Sequence, residues 1–399
     1  MTFKTINDFD LSGKTILLRA DLNVPVQDGK VTDTTRIDRL KPTIDLLREK
    51  GAKTLILSHF GRPKGERKPK YSLAFLPPVL EKQWGAAVHF ATDCIGDAAQ
   101  KLADSLEPGQ FGLLENLRFH PGEEKNDPEF VKQLAVLGDI YINDAFSAAH
   151  RAHASTEGLA HHLPTGAGLL MEAELTALND ALETPQKPVV AIVGGAKIST
   201  KLSVLDNLVR KVDVLFLGGG MANTFLFAKG VEVGKSLCEK DMAEEARQIM
   251  ETAAGYNCEI MLPEYRVVVE ELAPGAPYEI CGTEDMPADK EAVDAAPESI
   301  KILGEKLQTA KTVLWNGPLG VFEMKPFDNG TNEAARIVAE LTRAGKLVSV
   351  AGGGDTVAAL ENAGVAGDFS YISTAGGAFL EWLEGKTLPG VAALEAAAK

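Results

Sequence analysis

Two sets of anion-binding groups stand out in this 399-residue sequence, and they occupy different halves of it. In the first half, Arg36, His59, Arg62, Arg118, His150, Arg151 and His153 lie in or near the segments DLNVP, HFGRP, NLRFH and DAFSAAHRAH, and no histidine follows His162. In the second half, the segments GGAK, LGGGM, NGPLGVFE, GGGDT and AGGAF are rich in glycine and nearly free of arginine. A guanidinium fork matches carboxylate and phosphate geometry and does not lose its proton. Glycine lets backbone N–H groups approach a phosphate closely, helped by the start of a following helix. One half therefore reads as built for a small multivalent acid and the other for a nucleotide, and two such ligands imply transfer between them.

The segment IVGGAKISTK carries Lys197 and Lys201 four residues apart. On a helix two ammonium groups at that spacing repel, which an anion such as polyphosphate would relieve. Solvated surface lysines are the usual fate of KxxxK, but here a double glycine at a predicted strand end precedes them. The familiar nucleotide motifs fail. GKT at Gly13, GKS at Gly234 and GKT at Gly385 have Asp8, Lys229 and Leu380 where a P-loop needs glycine. GxGxxG is absent too, because Asn223 and Val357 stand at its last position, which removes most support for a nicotinamide-dependent oxidoreductase. The HRA at His150 lacks the aspartate of a protein-kinase catalytic loop.

The elements that must position these residues are short apolar strands alternating with amphipathic helices, the pattern of βαβ units and a parallel sheet. Strands are predicted at KTILLRA, KTLILSH, AAVHF, FGLLEN and DIYIND, then at PVVAIV, DVLFL, CEIMLP, KTVLWN, LVSVA and FSYIS. The segment TTRIDRLKPTIDLLREKG predicts a helix with Ile37, Leu40, Ile44 and Leu47 on one face and a kink at Pro42. Each candidate segment follows a strand, at the carboxyl ends where open parallel sheets bind ligands. The expected architecture is α/β, with two Rossmann-like domains, each a parallel sheet flanked by helices, joined by a hinge helix with a cleft between them. The boundaries are 1–168, a hinge at 169–184 ending at Pro185 and Pro188, then 185–380, with a C-terminal segment at 381–399.

Composition narrows the function further. A net charge of -15 disfavours nucleic acid and acidic membrane surfaces, so anions must be captured by local positive clusters. The N-terminus lacks a basic head followed by an apolar core, and no apolar run is long enough to span a bilayer, so the expected location is the cytoplasm. The four cysteines contain no CxxC pair, which argues against a zinc or disulfide framework. A binder that closes on one anion is the competing class, and the second set of glycine loops counts against it.

Eight motifs in order, RADLNVP, SHFGRP, LLENLRF, DAFSAAHRAH, GGAKISTK, LGGGMANTFL, WNGPLGVFE and GGGDT, resemble phosphoglycerate kinase along essentially the whole chain. The resemblance implies phosphoryl transfer between 1,3-bisphosphoglycerate and ADP to give 3-phosphoglycerate and ATP, with Mg2+ as cofactor, in a monomer that closes about its hinge. It assigns Asp21, Leu22 and Asn23 to the glycerate hydroxyl and carboxyl region, with Arg36, His59, Phe60, Gly61, Arg62, Arg118 and Arg151 around the anionic groups. It puts Lys197 beside the phosphoryl group in flight and Lys201 on the nucleotide phosphates, with Gly219, Asn316 and Pro318 in the nucleotide wall and Glu323 on the ribose. Gly352, Gly353 and Gly354 would cradle phosphates, Asp355 would cap the helix or hold Mg2+ or both, and Thr356 would add a hydroxyl. Arg36, Lys197 and the backbone at Gly376 would stabilise the transferring group, and the 381–399 segment would return to the N-terminal domain. Ala375 stands where the family usually has a third glycine, and its methyl is expected to crowd that loop.

Overall fold

The computed structural model describes residues 2–399, and the chain divides into two compact units. One runs through Leu175 and includes Thr387–Lys399, and the other is Thr176–Lys386. Each unit is built on a six-stranded, all-parallel sheet.

In the first unit the strands lie in the spatial order Val88–Phe90, Phe111–Leu113, Lys53–Leu57, Thr15–Arg19, Ile140–Asn143 and Thr165–Ala167. Alternation along these strands sends side chains to opposite faces. Ile16, Leu18 and Ile56 join one apolar cluster with Ile37, Leu40 and Ile44, while Leu17, Leu55 and Leu57 join another with Leu102, Phe130 and Leu134. Covering both faces explains why these strands read as continuous apolar runs. The strand Thr165–Ala167 has no counterpart among the predicted strands, because TGA offers neither β-branched run nor alternation.

The helix Thr35–Glu49 forms as the apolar spacing predicts and runs through Pro42 without interruption. Pro42 and Asp38 are exposed, so the carbonyl that loses its amide partner faces water, where the cost is least. Leu169–Leu178 is α-helical and continues as a π-helical turn, Asn179–Glu183, and the division between the units falls within this segment. The last helix, Pro389–Ala397, packs in the first unit, where Gly390 N donates to Ala149 O at 2.8 Å.

The second unit has the order Glu259–Met261, Val214–Leu217, Val189–Val193, Thr312–Asn316, Val348–Gly352 and Tyr371–Ser373. In chain order this is 3-2-1-4-5-6, the doubly wound arrangement whose switch point lies between its first and fourth strands. An antiparallel sheet of Glu279–Gly282, Tyr265–Val269 and Glu291–Ala295 is added to it, and the α/β reading did not anticipate it.

Candidate active site

In the first unit the register pairs Arg19 with Leu57 on one side and Asn143 on the other, which sets the loops after three strands side by side. Asp21 Oδ2 accepts from Arg36 Nη1 at 2.7 Å and from Ser147 Oγ, while Asn23 N donates to Asp21 Oδ1 at 3.1 Å. Arg36 Nη1 also donates to Asn23 O at 3.2 Å. Gly61 N donates to Asn23 Oδ1 at 2.9 Å, and Arg118 Nη1 to Gly61 O at the same distance. Gly61 has φ +59°, and a Cβ there would lie 2.6 Å from the Tyr71 ring.

The charges in this loop cluster are unbalanced. Arg118 is 4% exposed, and burial together with Arg151 and Arg19 lowers its pKa to about 10, although Glu124 lies 3.4 Å from its Nε. Burial first, then Arg118, Arg19 and Arg151, lowers His153 to about 4. His59 is held well below its ordinary value by burial and then by Arg19, Arg118 and Arg151. Mutual repulsion of this kind would be relieved by an anion placed among these groups.

Not every expected residue presents its side chain to such a ligand. Leu22 is fully buried, with its N–H donating to Ser58 Oγ at 3.0 Å, and Phe60 packs edge-on against Phe75. Both shape the loops. Arg62 is exposed, and no hydrogen bond among the described residues holds it. The sequence reading missed Arg19, Ser155 and Glu123, which form a buried layer beneath the loops. An arginine closing the otherwise apolar strand TILLR was the available signal.

In the second unit a cavity of about 370 Å³ is lined by Gly195, Gly219, Pro318, Glu323 and Asp355, with further walls from the antiparallel sheet through Arg266 and Glu291–Ala295. Its size suits a small-molecule ligand. At the switch point Lys201 Nζ donates to Gly194 O (2.6 Å), Asn316 Oδ1 (2.6 Å) and Asn316 O (3.1 Å). The two strand ends meet so tightly that a Cβ on Gly194 would fall 1.8 Å from Pro318 O, and Gly317 has φ +101°. Burial lowers the Lys201 pKa to about 8, against the pull of Asp355.

The pair of lysines is not stacked on a helix. Lys197 precedes a 3-10 turn, Ile198–Thr200, in an extended conformation, and Lys201 is non-helical before the helix Leu202–Leu208. The predicted repulsion at helical spacing therefore does not arise. Lys197 is exposed, whereas all three Lys201 N–H groups are engaged by carbonyl oxygens. Two other assignments change. Gly353, at φ +99°, is the N-cap of Gly354–Asn362, so Asp355 does not cap that helix and stands exposed in its first turn. Thr356 is buried and its Oγ1 accepts from Gly317 N at 2.7 Å, bracing the turn at Gly317. Asn316 is likewise a tie, since its Nδ2 donates to Gly352 O at 2.8 Å. Gly376, at φ +47°, caps the helix Gly377–Leu383. Ala375 is not among the residues with positive φ, so an alanine there carries no left-handed backbone strain.

The family model described as Phosphoglycerate kinase matches residues 6–386. The chain belongs to the phosphoglycerate kinase family. It is 62% identical over 396 residues to the phosphoglycerate kinase of Rhodospirillum centenum, covering 99% of this chain and all of the relative. The phosphoglycerate kinase of Rhizobium leguminosarum is 60% identical over 397 residues, covering 99% of each chain. Among solved structures, phosphoglycerate kinase from Coxiella burnetii superposes with a TM-score of 0.93 at 42% identity over the whole of both chains. That from Pyrococcus horikoshii gives 0.81 at 31% identity, covering 99% of each. Among the described residues, no helix is long and apolar enough to cross a membrane.

Proposed function

We propose that this protein carries out the reaction of its family, reversible transfer of a phosphoryl group between 1,3-bisphosphoglycerate and ADP, yielding 3-phosphoglycerate and ATP. The observation that carries the reading is the gathering of Arg118, Arg151, His59 and His153 beside Asp21, Asn23 and Arg36, where Arg118 and Arg151 push both histidines toward their neutral forms. A cluster of guanidinium and imidazole donors suits an acid bearing phosphate and carboxylate groups, and the glycine-lined cavity of the second unit suits its nucleotide partner.

Asp21 and Asn23 orient the glycerate portion, while Arg36, His59, Arg118 and Arg151 take its anionic groups. The acceptor in the ATP-consuming direction is a carboxylate, with an ordinary pKa of about 3.5 and therefore already deprotonated. No general base is needed, which agrees with histidines held neutral and only weakly basic. What the chain must supply is position and charge stabilisation, from Lys197, Arg36 and the backbone N–H groups following Ala375. Transfer is direct and in line, without a phosphoenzyme. Glu323 and Pro318, on the cavity wall, hold the nucleoside portion, with Gly219 of the same wall close to its phosphates; Gly352–Gly354, which precede the wall residue Asp355, complete the phosphate cradle.

Asp355 fits a magnesium ion. It is exposed, makes no capping bond and is a single carboxylate, which suits a cation that keeps several waters and takes phosphate oxygens for the rest. Asp355 would hold magnesium, which when bound would neutralise part of the nucleotide's phosphate charge. Water would compete as acceptor, and closure about the 169–184 segment with both ligands bound would exclude it. The protein acts in the cytoplasm, which four free cysteines suit, and as a monomer, the usual state of its family.

The test is ATP formation from 1,3-bisphosphoglycerate and ADP. Lys197→Ala should lower kcat by about 100- to 1,000-fold while leaving 3-phosphoglycerate affinity within about threefold. Absence of ATP formation, or a trapped phosphoprotein, overturns the reading.

A further inference from the structure

Beneath the anion-binding loops lies a residue that the reaction does not touch. Arg19 is 1% exposed, so no ligand reaches it, yet its Nη2 lies 3.0 Å from His59 Nδ1. A guanidinium carries five N–H donors and no acceptor, so the ring nitrogen facing it must accept. In a neutral imidazole the single proton then sits on Nε2. We infer that Arg19 is a positioning residue that fixes the tautomer of His59, so that the ring offers Nε2–H as an uncharged donor to an oxygen of the bound acid. This rests on the reading of these loops as the acid-binding site.

The arginine has little freedom to do otherwise. Its Nε donates to Ser155 Oγ at 2.8 Å and its Nη1 to Ala20 O, while Ser155 Oγ donates to Glu123 Oε1 at 2.6 Å. Ser155 N donates to Glu123 Oε2 at 3.0 Å, and Tyr141 Oη donates to Ser155 O at 2.6 Å. Glu123, fully buried, ties the layer from below. Among the described residues, no protein group hydrogen-bonds His59 Nε2. The opposite tautomer would aim a lone pair at an incoming anion and a proton at the guanidinium, two repulsive contacts in place of two attractive ones. A charged imidazolium would point a second positive donor at Arg19 and add to the repulsion from Arg118 and Arg151, both of which push His59 toward its neutral form.

Long-range nitrogen–proton correlation spectra of the intact protein test this without any substitution. The His59 ring, assigned by loss of its signals in His59→Gln, should show an unprotonated Nδ1 and a protonated Nε2 throughout about pH 5.5 to 8. A protonated Nδ1, whether in the other neutral tautomer or in an imidazolium, overturns the proposal. A double-substitution cycle adds a functional readout. Arg19→Met and His59→Phe should each weaken 3-phosphoglycerate binding about tenfold, and the double variant should be no weaker than His59→Phe alone. Additive losses would mean that Arg19 acts by another route. His59→Gln, whose amide N–H can stand near the Nε2 position, should recover most of the affinity that the shorter His59→Asn loses. If Arg19→Met does not fold, the wild-type spectrum and the Gln and Asn pair still decide. If His59→Phe leaves affinity unchanged while the spectrum shows protonated Nε2, the substrate-site reading fails and the tautomer assignment stands.

Discussion

In the proposed reaction the two units would recognise anions by different means. The first uses side chains: guanidinium and imidazole groups held over a buried layer of Arg19, Ser155 and Glu123. The second uses backbone, with strand ends drawn so close that only glycine fits at 194 and the positive φ at 317 favours glycine. The difference teaches where each unit is fragile. A charge-lined site fails when atoms are removed, and a backbone-lined site fails when atoms are added.

The largest expected effect comes from truncation in the first unit. Arg36→Ala removes a cation that bridges Asp21 and the Asn23 carbonyl, leaving the buried Asp21 with only Ser147 on its Oδ2. Binding of 3-phosphoglycerate should weaken by about 2–4 kcal/mol, with ADP binding nearly unchanged. Arg36→Lys should restore only part of this, since an ammonium lacks the planar fork. Isothermal titration with each ligand separately would measure both arms, and equal losses for the two ligands would break the contrast between the units.

Next in size is an addition in the second unit. Gly194→Ala forces a methyl to within 1.8 Å of Pro318 O, a backbone atom that cannot swing away. Destabilisation of about 2–3 kcal/mol or more should follow, together with loss of nucleotide affinity. Denaturant unfolding and ADP titration provide the readouts, and a wild-type midpoint would show that the switch point yields to a methyl group.

The smallest effect concerns pH. The Lys201 pKa is lowered to about 8 from an ordinary 10.5 because burial penalises the ammonium. The unfolded chain therefore binds more protons than the folded one between pH 8 and 10.5, and stability contributed at this residue should rise across that window. Below pH 8 both states are protonated and the contribution is level. The three carbonyl oxygens around Nζ prefer the ammonium and oppose the trend, so the slope should be modest, about 1 kcal/mol or less across the window. Lys201→Met should flatten the difference in unfolding free energy between pH 8 and 10, and an unaltered slope would remove Lys201 as its source.

The apolar runs made most of both parallel sheets legible, since a strand buried on both faces cannot avoid being hydrophobic. All eleven predicted strands correspond to strands of the two six-stranded sheets, whereas Thr165–Ala167 and the antiparallel strands went unseen. TGA lacks a pattern of its own, and Glu279–Gly282 is largely exposed, so neither declares itself locally. Loop positions after strands were legible for the same reason as the strands. The helical spacing of Lys197 and Lys201 misled, because the turn between them is 3-10 and the backbone at both lysines is non-helical.

Residue type and order alone thus determined that arginine and histidine gather in one half and glycine in the other, and that each group follows a strand. Only the tertiary structure decided which of these groups stand exposed and which hold the frame. Lys201, Asn316 and Thr356 became ties across the switch point, and Asp355 was left uncapped and exposed. Arg19 meets His59 across 40 residues and Ser155 across 136, contacts that no local pattern encodes. A side chain's chemistry is written in the chain, but its partner is chosen by whichever strand the sheet places beside it.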